Sequence, residues 1–300
     1  MYLIGILAAF ISPATHSLSN IFDAYIVGNL FKKVATSIFF SNITNIFGLL
    51  ILLATGQVYL PAQQTLLFAA LAGIIGVAYL FPYYAALRET DTSVVAALFS
   101  LERVFIPVWA YLFIGEVVEP IQYAGLGIII VTTVILNLQD PKKIKLNKAF
   151  WLMLLSAVIL SFQGVLYKKV LQDTNWTSAA FWCFFIAFVV RLAMILFKTM
   201  RQDIVADFPR YKANFGKFCL ISVTDQLGTL APIYALSIIP VLVETSISAT
   251  QPIFVVIYGF ILAKLFGDRF KENLNRKDII RKLICFTIIG IGVVLAVGGI

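Results

Sequence analysis

The chain has 300 residues, of which 61% are hydrophobic and only 13% charged. Soluble domains are roughly 45–50% apolar and about 25% charged, so no water-soluble globule of this length could bury so much apolar surface, and the composition is that of an integral membrane protein. It also excludes a disordered chain, a collagen-like repeat and a disulfide framework. The net charge is +8, an excess whose position along the chain carries the information.

A bilayer core about 30 Å thick requires roughly 20 apolar residues of helix. In chain order the apolar stretches predict ten transmembrane helices, at about 2–30, 34–56, 65–87, 92–114, 119–138, 149–170, 177–197, 216–237, 241–264 and 279–299. The first contains Pro13 and a polar stretch, and it lacks the basic start and small-residue cleavage site of a signal peptide. It is expected to be a true first helix. Most connections are short and carry breakers, Thr55-Gly56, Pro61, Gly115, Pro120 and Pro240 among them, so consecutive helices are expected to be antiparallel neighbours. Longer polar stretches fall at 139–148, 198–215 and 265–278. The first of these divides the chain into a five-helix unit, 1–138, a basic linker, 139–148, and a second five-helix unit, 149–300.

Counting Lys and Arg along this division places the charge. The connections after the first, third, fifth, seventh and ninth helices hold nineteen of the 23 basic residues. Lys168 and Lys169 fall on the other side, and Arg103 and Arg191 lie inside helices. By the positive-inside rule the odd connections are cytoplasmic and both termini outside, in a multi-pass protein of the plasma (inner) membrane.

The two units resemble each other. Pro82-Tyr83-Tyr84-Ala85-Ala86-Leu87 precedes the fourth helix, as Pro232-Ile233-Tyr234-Ala235-Leu236 precedes the ninth. With one residue dropped, Leu101-Glu102-Arg103-Val104-Phe105 falls opposite Thr250-Gln251-Pro252-Ile253-Phe254. An odd number of spans per unit sets the second copy upside down. The expected fold is therefore an all-α membrane protein of ten transmembrane helices in two inverted five-helix repeats, an organisation that many secondary transporters share.

The run Tyr83-Tyr84-Ala85-Ala86-Leu87, Ser100-Leu101-Glu102, Val104-Phe105 and Leu112-Phe113-Ile114-Gly115-Glu116, followed by Gln122 and Gly125, resembles the signature of the EamA-type ten-helix members of the drug/metabolite transporter superfamily. Arg103 stands where that family usually has Pro, while Pro252 keeps the position in the second half. The resemblance implies a transporter of amino acids, amines, nucleobases or similar metabolites. It also implies both termini in the cytoplasm, opposite to the charge count.

Ionisable groups within spans point to function, because a charge at the bilayer centre costs at least about 2.5–3.5 kcal/mol on insertion scales. In the first helix Ser12, His16, Ser19, Asn20 and Asp23 form one stripe, fit either for interhelical hydrogen bonds or for lining a cavity. Glu102 falls near midplane of the fourth helix, and its repeat partner is Gln251. A carboxylate and a carboxamide facing one cavity would suit a cationic or zwitterionic solute. Glu244, Ser248 and Gln251 make another stripe in the ninth helix, with Glu244 near its end and able to reach water. Tyr83, Tyr84 and Tyr234 could cover a cation with their rings or serve as packing or interfacial aromatics.

The substrate-cavity candidates are therefore His16, Asn20, Asp23, Tyr84, Glu102, Tyr234, Ser248 and Gln251. Arg103, Arg191, Asp225 and Glu244 are candidates for coupling or gating, with Arg103 expected to pair with an acid on a neighbouring helix. Arg191 and Asp225 reach comparable depths on antiparallel helices, so an ion pair between them is expected. Gly125, Gly127, Gly290, Gly292, Gly298 and Gly299 predict a packing or dimer surface in the fifth and tenth helices.

No zinc-binding His-Glu pair, phosphate-binding loop or nucleophile elbow occurs, so no enzyme activity, metal or cofactor is expected. Membrane orientation accounts for the basic connections without nucleic acid. The expected partners are a small-molecule substrate, the lipid bilayer and, for energy, protons or a counter-solute, in a monomer or homodimer. A flippase for lipid-linked or amphiphilic molecules and a non-transporting scaffold are the competing readings.

Overall fold

The computed structural model describes all residues except 42, 116, 118, 138–146, 267–275 and 298–300. Glu116, Gly298, Gly299 and most of the basic linker thus lie outside the described residues, as do several side chains, Arg103 among them. Among the described residues every regular element is helical.

Ten spans follow one another. The first is α1 (Tyr2–Tyr25), prolonged by a π turn at Ile26–Leu30. The second joins α2 (Val34–Ser41) to α3 (Ile46–Ala54), and the third joins α4 (Gln63–Ala78) to α5 (Leu80–Ala86). The fourth is divided into α6 (Thr92–Leu98), a tight turn at Phe99–Val104 and α7 (Ile106–Ile114). Then come α8 (Pro120–Asn137), α9 (Lys148–Asp173) and α10 (Trp176–Ala193). A further helix, α11 (Lys198–Ala213), precedes the eighth span, α12 (Phe215–Leu236). The ninth is divided into α13 (Val241–Ser248) and α14 (Gln251–Phe266), and the tenth is α15 (Arg276–Val297). Seven spans contain helices long and apolar enough to cross a bilayer outright; the fourth, fifth and tenth are the remainder. Side chains such as Leu50, Ile51, Tyr111 and Leu112 are exposed on the outside, as a lipid-facing surface requires.

Helix starts follow local chemistry. Asn147 Oδ1 accepts from the Phe150 amide at 2.9 Å, and Asn175 Oδ1 from the Ser178 amide at 2.8 Å, capping α9 and α10. The interruptions have a common cause as well. A proline within a helix leaves the carbonyl four residues earlier without its donor. Pro82, Pro107 and Pro252 strand the carbonyls of Ala78, Arg103 and Ser248, and regular helix fails at Tyr79, through Phe105 and at Ala249–Thr250. Three-residue bonds tighten these places: Phe105 N–H to Glu102 O at 3.0 Å, and Thr250 N–H to Ile247 O at 3.0 Å. The breaks in the fourth and ninth spans fall at the repeat-related pair Glu102 and Gln251. Pro13 and Pro232, by contrast, stay within unbroken helices.

The polar stretch 198–215, read as a connection, is mostly helix. Ile204, Asp207 and Tyr211 recur at helical spacing and are buried, while Val205 and Phe208 remain exposed. Tyr211 stacks on Phe40 with centroids 4.6 Å apart and meets Phe218 at 4.8 Å, fixing α11 to the second and eighth spans.

Packing follows the inverted repeat. The first span lies along the eighth and ninth, and the sixth lies along the third and fourth, so exchanging the two halves maps one set of contacts on the other. Each close approach uses a glycine. A Cβ on Gly228 would fall 2.8 Å from the His16 ring, and Gln163 of the sixth span lies against Gly76 of the third in the same way. Gly292 faces the Gly125 backbone, so part of the expected glycine surface is an intramolecular contact between α8 and α15; Gly127 and Gly290 face open space.

The two ends of the bundle differ. At one, Arg88 donates to the carbonyls of Phe31 and Lys32, Lys148 pairs with Glu89 at 2.6 Å, and Lys282 lies 3.9 Å from Asp91. At the other, neutral groups dominate. Tyr59 N–H donates to Ser178 Oγ at 3.1 Å, Trp182 Nε1 donates to Tyr59 O at 2.8 Å, and Asn175 Nδ2 to Gln57 O at 3.1 Å. Lys168 is spent there on structure, donating to the carbonyl of Leu236 at 2.6 Å, the last residue of α12, and to that of Ile239 at 2.9 Å beyond it.

Candidate functional site

Between the two halves lies a cavity of about 220 Å³. The first span supplies Ser12, His16, Ser19, Asn20 and Asp23, the whole stripe read from the sequence. The helix breaks supply Glu102 from one half and Ser248 and Gln251 from the other, with Glu244 one turn away. Interrupted helices at corresponding positions expose backbone polar groups where regular helix would hide them, which is tolerated only beside protein or a wet cavity. Ser17 uses one such group, donating to the Gln251 carbonyl at 2.8 Å.

Asp23 is the centre of a polar network on the first half. The Tyr84 hydroxyl lies 2.9 Å from Asp23 Oδ1 and 2.9 Å from Ser41 Oγ. The Tyr83 hydroxyl lies 3.2 Å from Asp23 Oδ2 and 2.8 Å from Asn20 Oδ1. Both tyrosines are buried, so their rings pack while their hydroxyls serve the carboxylate. The helix geometry explains why: Asn20 and Asp23 are three residues apart on one face, and Tyr83 and Tyr84 follow the break at Tyr79, which turns both toward α1.

Asp225 is a cavity-lining acid of the second half. Its Oδ1 is 3.9 Å from His16 Nδ1, and its Oδ2 accepts from Asn45 Nδ2 at 3.3 Å. Asn45 in turn accepts from Ser222 at 2.8 Å. The expected Arg191–Asp225 ion pair is not formed. Arg191 instead donates from Nη2 to the Gly76 carbonyl at 3.4 Å, while Asp225 turns toward the first span, where glycine at 228 lets the His16 ring come close. Both residues nevertheless line the cavity.

Two other expectations are corrected. Glu244 does not reach water: it is only 6% exposed, faces the cavity and accepts from Ser248 Oγ at 2.9 Å. Tyr234 is absent from the cavity wall; its ring stands edge-on to Trp176, with centroids 5.6 Å apart, at the end of α12. The side chain of Arg103 lies outside the described residues. The remaining candidates, His16, Asn20, Asp23, Tyr84, Glu102, Ser248 and Gln251, converge on the cavity.

Sequence reasoning missed Asn45, Gln163, Tyr167 and Gln226, which also line it. Gln163 Nε2 contacts the Ala72 carbonyl at 3.0 Å and the Tyr167 hydroxyl at 2.9 Å. The signal was present: Gln163 and Tyr167 are four residues apart, as are Ser41 and Asn45, or Ser222 and Gln226. These are polar stripes of the kind that marked the first helix. No group of three or more His, Cys, Asp and Glu that could hold a metal occurs among the described residues.

The comparisons with known proteins agree with this architecture. A solved crystal structure superimposes with a TM-score of 0.58 over 98% of this chain and 95% of its own, at 16% identity, a likeness of fold alone. None of the curated proteins matches the chain in sequence. The model of the EamA-like transporter family matches twice, over residues 3–138 and 147–298, one match to each five-helix repeat. The chain belongs to the EamA-like transporter family, a family of membrane transporters built from two such repeats.

Proposed function

We propose that the protein moves a small polar metabolite by alternating access, the two inverted halves rocking about the cavity between them. The observation that carries this reading is the meeting of both helix breaks, with Glu102 on one half and Gln251 on the other, at one polar cavity. About 220 Å³ is below the roughly 300–1,000 Å³ of sites for drug-sized ligands, which favours a small solute.

The chain carries no ATP-binding motif, so energy comes from the solute's own gradient, protons or a counter-solute. Asp23, Glu102, Asp225 and Glu244 all line the cavity, so a proton and a solute can compete for the same groups. That competition is the physical basis of coupling by alternating access: the loaded and empty states differ in charge inside a low-dielectric core. The cluster of basic residues at the end holding Lys32, Lys33, Arg88, Lys148 and Lys282 favours a cytoplasmic position for that end.

The deciding experiment is counterflow into proteoliposomes across a panel of amino acids, amines and nucleobases. Saturable exchange of at least one member is expected. A folded sample that exchanges none would favour a scaffold instead.

A further inference from the structure

Two residues that line the cavity each carry a buried donor with no acceptor among the described residues. The donors are Nε of Arg191 and Nδ2 of Asn20. Arg191 is 9% exposed and Asn20 5%. The guanidinium makes one long hydrogen bond, to Gly76, and forms no ion pair with a carboxylate among the described residues. Three of the four acids that line the cavity have partners of their own: Asp23 two tyrosines, Asp225 His16 and Asn45, and Glu244 Ser248.

A buried cation without a counter-ion is costly by several kcal/mol, and an unmet buried donor adds about 1–3 kcal/mol. A structural arginine would be expected to satisfy its planar fork with a carboxylate or with several carbonyls. This one holds a single carbonyl at 3.4 Å, keeps its Nε buried without an acceptor, and lines the cavity. Its unmet requirement is for acceptor oxygens, and a planar oxyanion meets a guanidinium best because it takes two parallel N–H bonds.

We propose that Arg191 is the docking point for a carboxylate on the transported solute, with Asn20 Nδ2 as a second donor to solute oxygen. The proposal rests on the reading that the cavity carries a solute, and it adds the chemical class. A bare carboxylate would be repelled by Asp23, Glu102, Asp225 and Glu244. A cationic centre on the same solute, or a proton taken up by one of these acids, offsets that repulsion.

The test is thermal-shift titration of the purified full chain with small amino acids and 2-hydroxy acids, each matched with its primary carboxamide. At least one acid raises Tm at concentrations where its amide, at tenfold excess, does not. Arg191→Gln weakens that acid roughly 10–100-fold, the loss of one hydrogen bond to a charged partner, and Arg191→Lys keeps part of the preference. The acid–amide comparison on the unaltered chain stands even if the variants fold poorly. Amides that protect as well as acids, a panel in which no acid protects, or an Arg191→Gln protein that keeps the full preference would each overturn the proposal. Counterflow of the same panel separates this failure from that of the transport reading. Saturable exchange of amides removes the carboxylate site and leaves the transporter; no exchange of any member removes both.

Discussion

At the residue scale, the polar groups of the cavity divide into those that are satisfied within the protein and those that are not. Asp23 belongs to the first kind. Replacing Tyr84 with Phe deletes the hydroxyl that lies 2.9 Å from both the Asp23 carboxylate and Ser41. The loss of a bond to a charged group costs about 1.5–3 kcal/mol, so the Tyr84→Phe protein should unfold at a measurably lower temperature in detergent. An unchanged Tm would mean that the network contributes little. Asp225 is held more loosely, by a 3.3 Å bond and a 3.9 Å approach to a histidine, as a group that exchanges partners during a cycle would be. Asp225→Asn should abolish accumulation driven by a gradient while exchange across the membrane persists; equal loss of both would assign Asp225 to structure. His16, Asn20, Asp23, Glu102 and Gln251 were legible from spacing and repeat because each breaks an apolar pattern. The missing Arg191–Asp225 pair was not, because depth along two helices says nothing about which way their side chains turn.

At the element scale, the spans themselves were legible, their ends falling within a helical turn of the apolar boundaries, whereas their interruptions were not. Pro107 and Pro252 were visible, but so were Pro13 and Pro232, and only the first two coincide with a break. Pro13 and Pro232 lie in α1 and α12, which pack along each other and remain continuous helices. The polar helix α11 was read as a connection because its composition is hydrophilic; its buried side, Ile204, Asp207 and Tyr211, is only three residues wide. Glycine contacts provide a matched test of helix packing. A Cβ at position 292 would meet the Gly125 carbonyl at 2.8 Å, whereas one at 290 meets nothing. Gly292→Ala should therefore destabilise by about 1–3 kcal/mol, the usual range for overpacking, and Gly290→Ala should be neutral in the same denaturation assay. Equal effects of the two would show that α8 and α15 are less closely apposed.

At the scale of the whole molecule, the repeat supplies the geometry for the alternating access proposed above. If one half rocks against the other, the ends must open in turn, and a link across one end must stop the cycle. Cysteines placed at Glu89 and Lys148, whose side chains meet at 2.6 Å across the two halves, should, when joined by a short bifunctional thiol reagent in a background lacking Cys183, Cys219 and Cys285, halt flux; cleavage of the link should restore it. Undiminished flux in the linked protein would exclude opening at that end. If the basic end is cytoplasmic, as the charge count of nineteen basic residues favours, a tag at the C-terminus of a properly inserted chain should be accessible from outside; access only from the cytoplasm would reverse the assignment. The unlike contacts at the two ends have an energetic consequence. Two halves of identical sequence would give inward-facing and outward-facing states of equal energy, related by symmetry. The resting preference between them therefore resides in what the halves do not share. At one end the contacts are ion pairs, Glu89 with Lys148 and Asp91 with Lys282, and at the other they are amides, hydroxyls and an indole around Tyr59. Salt weakens the first kind of contact and hardly touches the second, so ionic strength alone should tilt the resting equilibrium toward opening at the basic end.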